Sequence, residues 1–244
     1  NKYFMVKNGV ELTRYSGITS LVYSSDGSFA YEVLDKGDQF IMKDDIKITT
    51  SSWEATVSDP MYSPDGNFFY QSFSANDGII INQNDTKIAT NRMHIDEFTH
   101  SPDGKSHSYI YRQYANGIAI NAVVIKDGVE LAKYDSVAGL TYSPDGKSFA
   151  YIASINGKEF IVKDGVELTK YEDIRDFTYF PDGKSLIYKV KIDDKWIIVK
   201  DWIESEKYDG IFENIIDFAY STDSKSYAYT ATINDRYFIV KSSF

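Results

Sequence analysis

Cysteine is absent from the sequence, which excludes disulfide bridges and cysteine-ligated metal centres. Histidine is scarce, with three copies, and proline nearly as scarce, with five in 244 residues. Long apolar runs are missing as well. No stretch approaches the roughly 18 residues that a membrane-crossing helix requires. Membrane insertion is therefore not expected, and no leader peptide is visible. Positive charge is in deficit: 26 Lys and Arg stand against 36 Asp and Glu, a formal net charge of -10. Such a chain repels phosphate, so neither nucleic acid nor an anionic membrane surface is an expected partner. No segment shows the 3.6-residue apolar stripe of an amphipathic helix.

Aromatic residues, by contrast, are plentiful. Tyr occurs 20 times and Phe 15 times, a composition that suits strands better than helices. The length is sufficient for one all-β domain with a large core, and a single domain spanning residues 1–244 is expected. The sequence starts at Asn1, inside a strand-like pattern from Lys2 to Lys7. That start suggests a processed protein or an excised piece of a longer one.

An internal repeat dominates the pattern. Tyr23-Ser-Ser-Asp-Gly27 returns as Tyr62-Ser-Pro-Asp-Gly66, His100-Ser-Pro-Asp-Gly104, Tyr142-Ser-Pro-Asp-Gly146, Tyr179-Phe-Pro-Asp-Gly183 and Tyr220-Ser-Thr-Asp-Ser224. Successive aspartates are 39, 38, 42, 37 and 41 residues apart, and four of the five prolines sit in this motif. Ser, Pro, Asp and Gly suit positions i to i+3 of a type I turn: Pro presets its φ and Gly tolerates a positive one. A second landmark follows in each copy, at Asn8-Gly9, Asp44-Asp45, Asn84-Asp85, Asp127-Gly128, Asp164-Gly165 and Asp201-Trp202. Asn-Gly or Asp-Gly between apolar runs marks a two-residue hairpin.

One unit then reads as four strands. Strand a is Ile174 to Tyr179, strand b Leu186 to Val190, strand c Trp196 to Lys200 and strand d Ile203 to Lys207. Apolar runs without strict alternation fit sheets covered on both faces. A period near 40 residues with four strands per unit points to a β-propeller rather than a solenoid. The Ser-Pro-Asp-Gly-Lys turn, the Phe-Ala-Tyr strand after it and the Ile-Val-Lys-Asp-Gly strand resemble the TolB-type, WD40-like propeller repeat, over nearly the whole chain. The resemblance implies a fold but not an activity, because such propellers host many functions. It also implies a bacterial exported protein, in the periplasm or at the cell surface.

The N-terminus supplies strands c and d (Tyr3 to Val6, Val10 to Thr13), and the C-terminus ends after a strand c (Tyr237 to Val240). The total is twenty-five strands, one more than six blades need. The expected architecture is therefore an all-β, six-bladed propeller of four-stranded antiparallel blades, its ring closed by an N-terminal strand pairing with the last blade. The segments Tyr3 to Val6 and Tyr237 to Val240 would compete for one slot.

Differences among the copies locate candidate functional residues. Three intervals between landmarks are lengthened, and all three fall on b–c or d–a connections, which share one face. The first surrounds Arg112 and Tyr114. The second runs from Thr49 to Asp59 with Trp53 and Glu54. The third runs from Tyr208 to Asn214 with Ile211 and Phe212. Loops on a rigid scaffold commonly carry binding, and Tyr, Trp and Arg are favoured at hot spots; neutral drift of surface loops is the alternative.

Three residues before the aromatic of each turn motif stand Ser20, Asp59, Glu97, Gly139, Asp176 and Asp217. The four carboxylates Asp59, Glu97, Asp176 and Asp217 either line a central channel, facing a cation or basic group, or cap backbone N–H groups between blades. His94, His100 and His107 are close in sequence, but His100 and His107 replace aromatics of other copies and read as packing residues rather than zinc ligands. No catalytic nucleophile motif, metal site or cofactor loop is present. The expected function is non-catalytic binding of a protein or peptide. A carbohydrate-binding or carbohydrate-processing propeller, or an accessory domain of a larger protein, is the alternative.

Overall fold

The computed structural model describes residues 2–48, 56–74, 78–91, 95–116, 118–212, 218–221, 223 and 225–243. All regular structure among them is β. A two-stranded hairpin, β1 (Val6–Lys7) and β2 (Val10–Glu11), comes first. Sheet one holds β3 (Gly17–Tyr23), β4 (Phe29–Asp35), β5 (Asp38–Lys43) and β6 (Ile46–Ile48). Sheet two holds β7 (Thr56–Tyr62), β8 (Phe68–Ser74), β9 (Gly78–Gln83) and β10 (Thr86–Asn91). Sheet three holds β11 (Ile95–His100), β12 (His107–Ala115), β13 (Ile118–Lys126) and β14 (Val129–Tyr134). Sheet four holds β15 (Ser136–Tyr142), β16 (Phe149–Ile155), β17 (Lys158–Lys163) and β18 (Val166–Glu167). Sheet five holds β19 (Asp173–Tyr179), β20 (Leu186–Ile192), β21 (Lys195–Lys200) and β22 (Ile203–Glu204). Each of these five sheets is an antiparallel meander in chain order.

Sheet six differs. Its innermost strand is in two pieces, β23 (Gly210–Ile211) and β24 (Ala219–Tyr220), both paired with β25 (Ser226–Ile233). Strand β26 (Arg236–Ser243) pairs with β25 and has no partner on its outer side among the described strands. The N-terminal strand expected to close the ring, β2, is paired with β1, through Val6 with Glu11 and Lys7 with Val10.

The sheets stack face to face, which is why their strands do not alternate. In β16, Phe149, Ala150, Tyr151 and Ala153 are all buried. Tyr151, Phe160 and Val162 pack with Ile110, Ala122 and Val124 of sheet three, while Ala150 and Ile161 pack with Leu186, Tyr188 and Val190 of sheet five. A sheet sandwiched in this way buries residues of both parities.

The repeat motif makes the turn its residues favour. Gly66 N–H donates to Ser63 O at 2.9 Å, and the same bond recurs at Gly27, Gly104, Gly146 and Gly183. The turn aspartate closes it from inside: Asp145 Oδ1 accepts from Ser143 Oγ at 2.7 Å and from Lys147 N–H at 3.2 Å. The second landmark is a two-residue turn in which both central residues have positive φ, from 46° at Asn84 to 82° at Gly165. Such a turn matches the twist of the strands it joins. Its first residue also clamps strand b. Phe29, Phe68, His107, Phe149 and Leu186 donate their N–H to the side chains of Asp44, Asn84, Asp127, Asp164 and Asp201 at 2.8 to 3.1 Å. Asn84, in a glycosylation-like Asn-Asp-Thr, is held by this bond and by donating to Asn67 Oδ1 at 2.7 Å.

Candidate binding face

The b–c hairpins show which part of the molecule departs from the repeat. In sheets one, four, five and six they turn at Lys36-Gly37, Asn156-Gly157, Asp193-Asp194 and Asn234-Asp235, all with positive φ. Each tip carries charge within one residue of the turn, at Asp35, Lys158, Lys195 or Arg236. The β12–β13 hairpin is longer. Among the described residues, β11 pairs as far as Tyr111 and β14 as far as Ala122, and those of the hairpin beyond these pair with each other. At a rise of about 3.3 Å per residue the ribbon projects by roughly 10 Å. Its tip, Tyr114-Ala-Asn-Gly-Ile-Ala-Ile120, has no charge. Tyr114, Ile118 and Ile120 are 43%, 70% and 52% exposed.

The base of this finger is pinned. Arg112 pairs with Asp96 of β11 and reaches Val137 O of sheet four at 3.5 Å. Lys133 donates to Gln113 Oε1 at 2.9 Å. Arg112, expected as a contact residue, therefore anchors the finger rather than tipping it. Sequence reading missed Ile118 and Ile120 because it looked for aromatics and Arg. The available signal was the loss of charge from one tip out of the series.

The other expected contact residues separate. Phe212 is exposed and lies 5.3 Å from the Tyr237 ring. Ile211 is buried, packed in β23 with the sheet-five and sheet-six core; as a strand residue facing the neighbouring sheet it is core, not surface. Trp53 and Glu54 lie outside the described residues.

The carboxylate column does not gather. Glu97 accepts the N–H groups of Gly139 and Leu140 in the next sheet, at 3.0 and 2.9 Å, as a backbone cap does. Asp176 pairs with Lys189 at 3.0 Å. Asp59, at φ +52°, accepts from Ser58 Oγ at 3.1 Å. Asp217 lies outside the described residues. No cluster of three or more His, Asp or Glu able to hold a metal is found among the described residues. His107 stacks on Phe98, with ring centroids 5.9 Å apart, and burial pushes its pKa down; His100 is half-buried, and His94 lies outside the described residues.

No family model matches the chain, and neither does any curated protein sequence. Solved structures do. Prolyl oligopeptidase B from Galerina marginata superposes with a TM-score of 0.52 at 13% identity, over 94% of this chain and 43% of that one. The dihydro-heme d1 dehydrogenase NirN does so at 0.50 and 14%, over 93% and 55%. TolB from Acinetobacter baumannii matches at 0.42 and 16%, over 93% of this chain. The fold is a β-propeller fold. The chain spans only 60% of the length of that TolB chain, and at these identities the likeness extends to the fold alone.

Proposed function

We propose that the chain is a non-catalytic binding scaffold for a protein or peptide, built from TolB-type repeats, and that the β12–β13 finger is its principal contact. The observation that carries this reading is the finger itself: an uncharged apolar tip raised on a pinned base, where the described tips of sheets one, four, five and six are short and charged. An apolar anchor of this kind fits a concave partner surface. Phe212, in the connection into sheet six, belongs to the same face by topology. The reading includes a six-bladed ring in which β2 becomes the outer strand of sheet six, and an exported location, for which the repeat's resemblance is the support.

The test uses a displayed library of random peptides panned on the chain. Enriched peptides are then assayed against a variant with Ile118→Ser and Ile120→Ser. These residues are exposed, so the fold persists, and binding is expected to fall at least about tenfold, the loss of roughly 1.4 kcal/mol. Peptides that bind the variant as well as the parent remove the finger from the site.

A further inference from the structure

Strand b of all six sheets carries a buried tyrosine at one repeated position: Tyr31, Tyr70, Tyr109, Tyr151, Tyr188 and Tyr229. In the later sheets it meets a tyrosine from the end of the preceding sheet. The ring centroids of Tyr134 and Tyr151, of Tyr171 and Tyr188, and of Tyr208 and Tyr229 are 6.1, 6.1 and 5.9 Å apart. A strand-d glutamate completes the station where strand d exists. Tyr171 OH donates to Glu204 Oε1 at 3.2 Å, and Glu167 adjoins Tyr134 in the same way. Burial first, then Glu204, pushes the Tyr171 pKa up. The third station, Tyr208 with Tyr229, lacks a strand-d carboxylate because β26 is the last described strand of its sheet.

The space left is measurable. Between sheets four and five, Lys163, Leu168, Leu186, Tyr188, Asp201 and Trp202 line a crevice of about 10 Å³. The repeat-equivalent residues Lys200, Ser205, Tyr227, Tyr229, Ser242 and Ser243 help to line a cleft of about 430 Å³. Smaller side chains, Ser205 for Leu168 and Ser243 for Trp202, accompany the increase, and no described strand pairs with the outer side of β26.

We infer that Glu11 selects β2 for this vacant position, where its carboxylate joins Tyr208 and Tyr229 as the third member of their station. The inference rests on the ring-closure reading above. Register supports it. Val162 faces Glu167 and Lys163 faces Val166; Val199 faces Glu204 and Lys200 faces Ile203. The same spacing sets Val240 against Glu11 and Lys241 against Val10. Strand β26 is also a near copy of the partner β2 now has, Tyr237-Phe-Ile-Val-Lys241 against Tyr3-Phe-Met-Val-Lys7. Exchange keeps the backbone pairing, and Ile239 takes the place of Met5 against sheet one. The ion pair of Glu11 with Arg14 (2.6 Å) survives as well, since Glu167 keeps Lys170 at 3.4 Å in its own station. What β26 adds is the tyrosine pair behind it, which β1 lacks.

The absence of native cysteine gives a clean test. A variant with Lys7→Cys, Val10→Cys and Lys241→Cys is oxidised, and the 7–10 and 10–241 bridges are counted by peptide mapping of the monomer. The 10–241 bridge is expected to predominate. Glu11→Ala should shift the ratio towards 7–10 by about fivefold, while Glu11→Gln, which still accepts a hydrogen bond, should shift it less. Tyr208→Phe, which removes the hydroxyl equivalent to that of Tyr171, should have the effect of Glu11→Ala, and the two together no more than either alone. A 10–241 bridge indifferent to Glu11→Ala overturns the role of Glu11 and leaves closure standing. If only the 7–10 bridge forms, or 10–241 joins two chains, closure within the chain fails and the inference fails with it.

Discussion

Sheets four and six carry the same four residues in the same strand, Phe160-Ile-Val-Lys163 and Phe238-Ile-Val-Lys241, yet they live in different surroundings. Phe160 and Ile161 are 0% and 1% exposed; Phe238 and Ile239 are 44% and 83% exposed. The b–c turns share the same left-handed backbone, and Ser143 and Ser221 donate the same N–H, to Ser148 O and Ser226 O at 2.9 Å, in the two sheets. Identical local sequence thus specifies the strand and its turns, while a neighbouring sheet decides whether the strand contributes a core. In a repeat protein, stability divides into intrinsic and interface terms of this kind. Sheet six holds its intrinsic part and only one of its two interfaces.

The largest effect expected from that division is at Ile161. Replacing Ile161 by Ala empties a fully buried site between sheets four and five and should cost about 2–5 kcal/mol in urea denaturation. In the open arrangement Ile239→Ala would cost less than about 0.5 kcal/mol. Closure of the ring puts Ile239 where Met5 stands, against the sheet-one core. The proposal therefore predicts a cost of at least about 1 kcal/mol for Ile239→Ala. A cost near zero would falsify closure and leave the two sheets as different as they are in the structure.

Glycines sharpen the same contrast between local and neighbouring demands. Gly104 and Gly128 both have positive φ, +73° and +77°, so Ala at either adopts a left-handed backbone at about 1 kcal/mol. A Cβ at Gly128 meets nothing within 4 Å, but one at Gly104 falls 2.4 Å from Asp65 of the preceding sheet's turn. Gly128→Ala should lower stability by about 1 kcal/mol and Gly104→Ala by about 2–3 kcal/mol. Equal losses would mean that Asp65 swings away freely and that the turns are not packed on one another.

Much of this was legible in the sequence because turns are local. The Ser-Pro-Asp-Gly and Asn-Gly signals fix where strands start and stop, and each aspartate lands in the turn that its chemistry favours. The strand positions of sheet five, read from Ile174 to Lys207, match β19 to β22 closely, with strand d shortened to Ile203–Glu204. What the sequence left open was long-range. Insertion length pointed to the finger around Tyr114 but also marked Ile211, whose burial depends on how the sixth sheet meets the fifth. The choice between Tyr3 to Val6 and Tyr237 to Val240 was undecidable from two nearly identical strands. Glu97 could be read as a channel carboxylate or a backbone cap, and only the placement of Gly139 and Leu140 beneath it distinguishes them.

The smallest expected effect concerns the turns, where sheets four and six should agree. Asp145 is held below the ordinary carboxylate value by the Ser143 hydroxyl and then the Lys147 N–H. Asp223 is held below it by the Ser221 hydroxyl and then the Lys225 N–H. Both sets of donors come from the aspartate's own turn. A folded-state pKa below the unfolded value of about 3.9 contributes stability that is fully present above that value and is lost as pH falls through the folded pKa. Asp145→Asn and Asp223→Asn should therefore each lower Tm slightly at pH 7, by similar amounts. Each difference from the parent should shrink as both are taken from pH 5 to pH 3, because acid removes the parent's charge. Thermal melts across that range check it. A pH-dependent gap at Asp145 without one at Asp223 would show that the stacked neighbour, and not the turn alone, sets the carboxylate's environment, and the separation of local from interfacial stability would no longer hold at the turns.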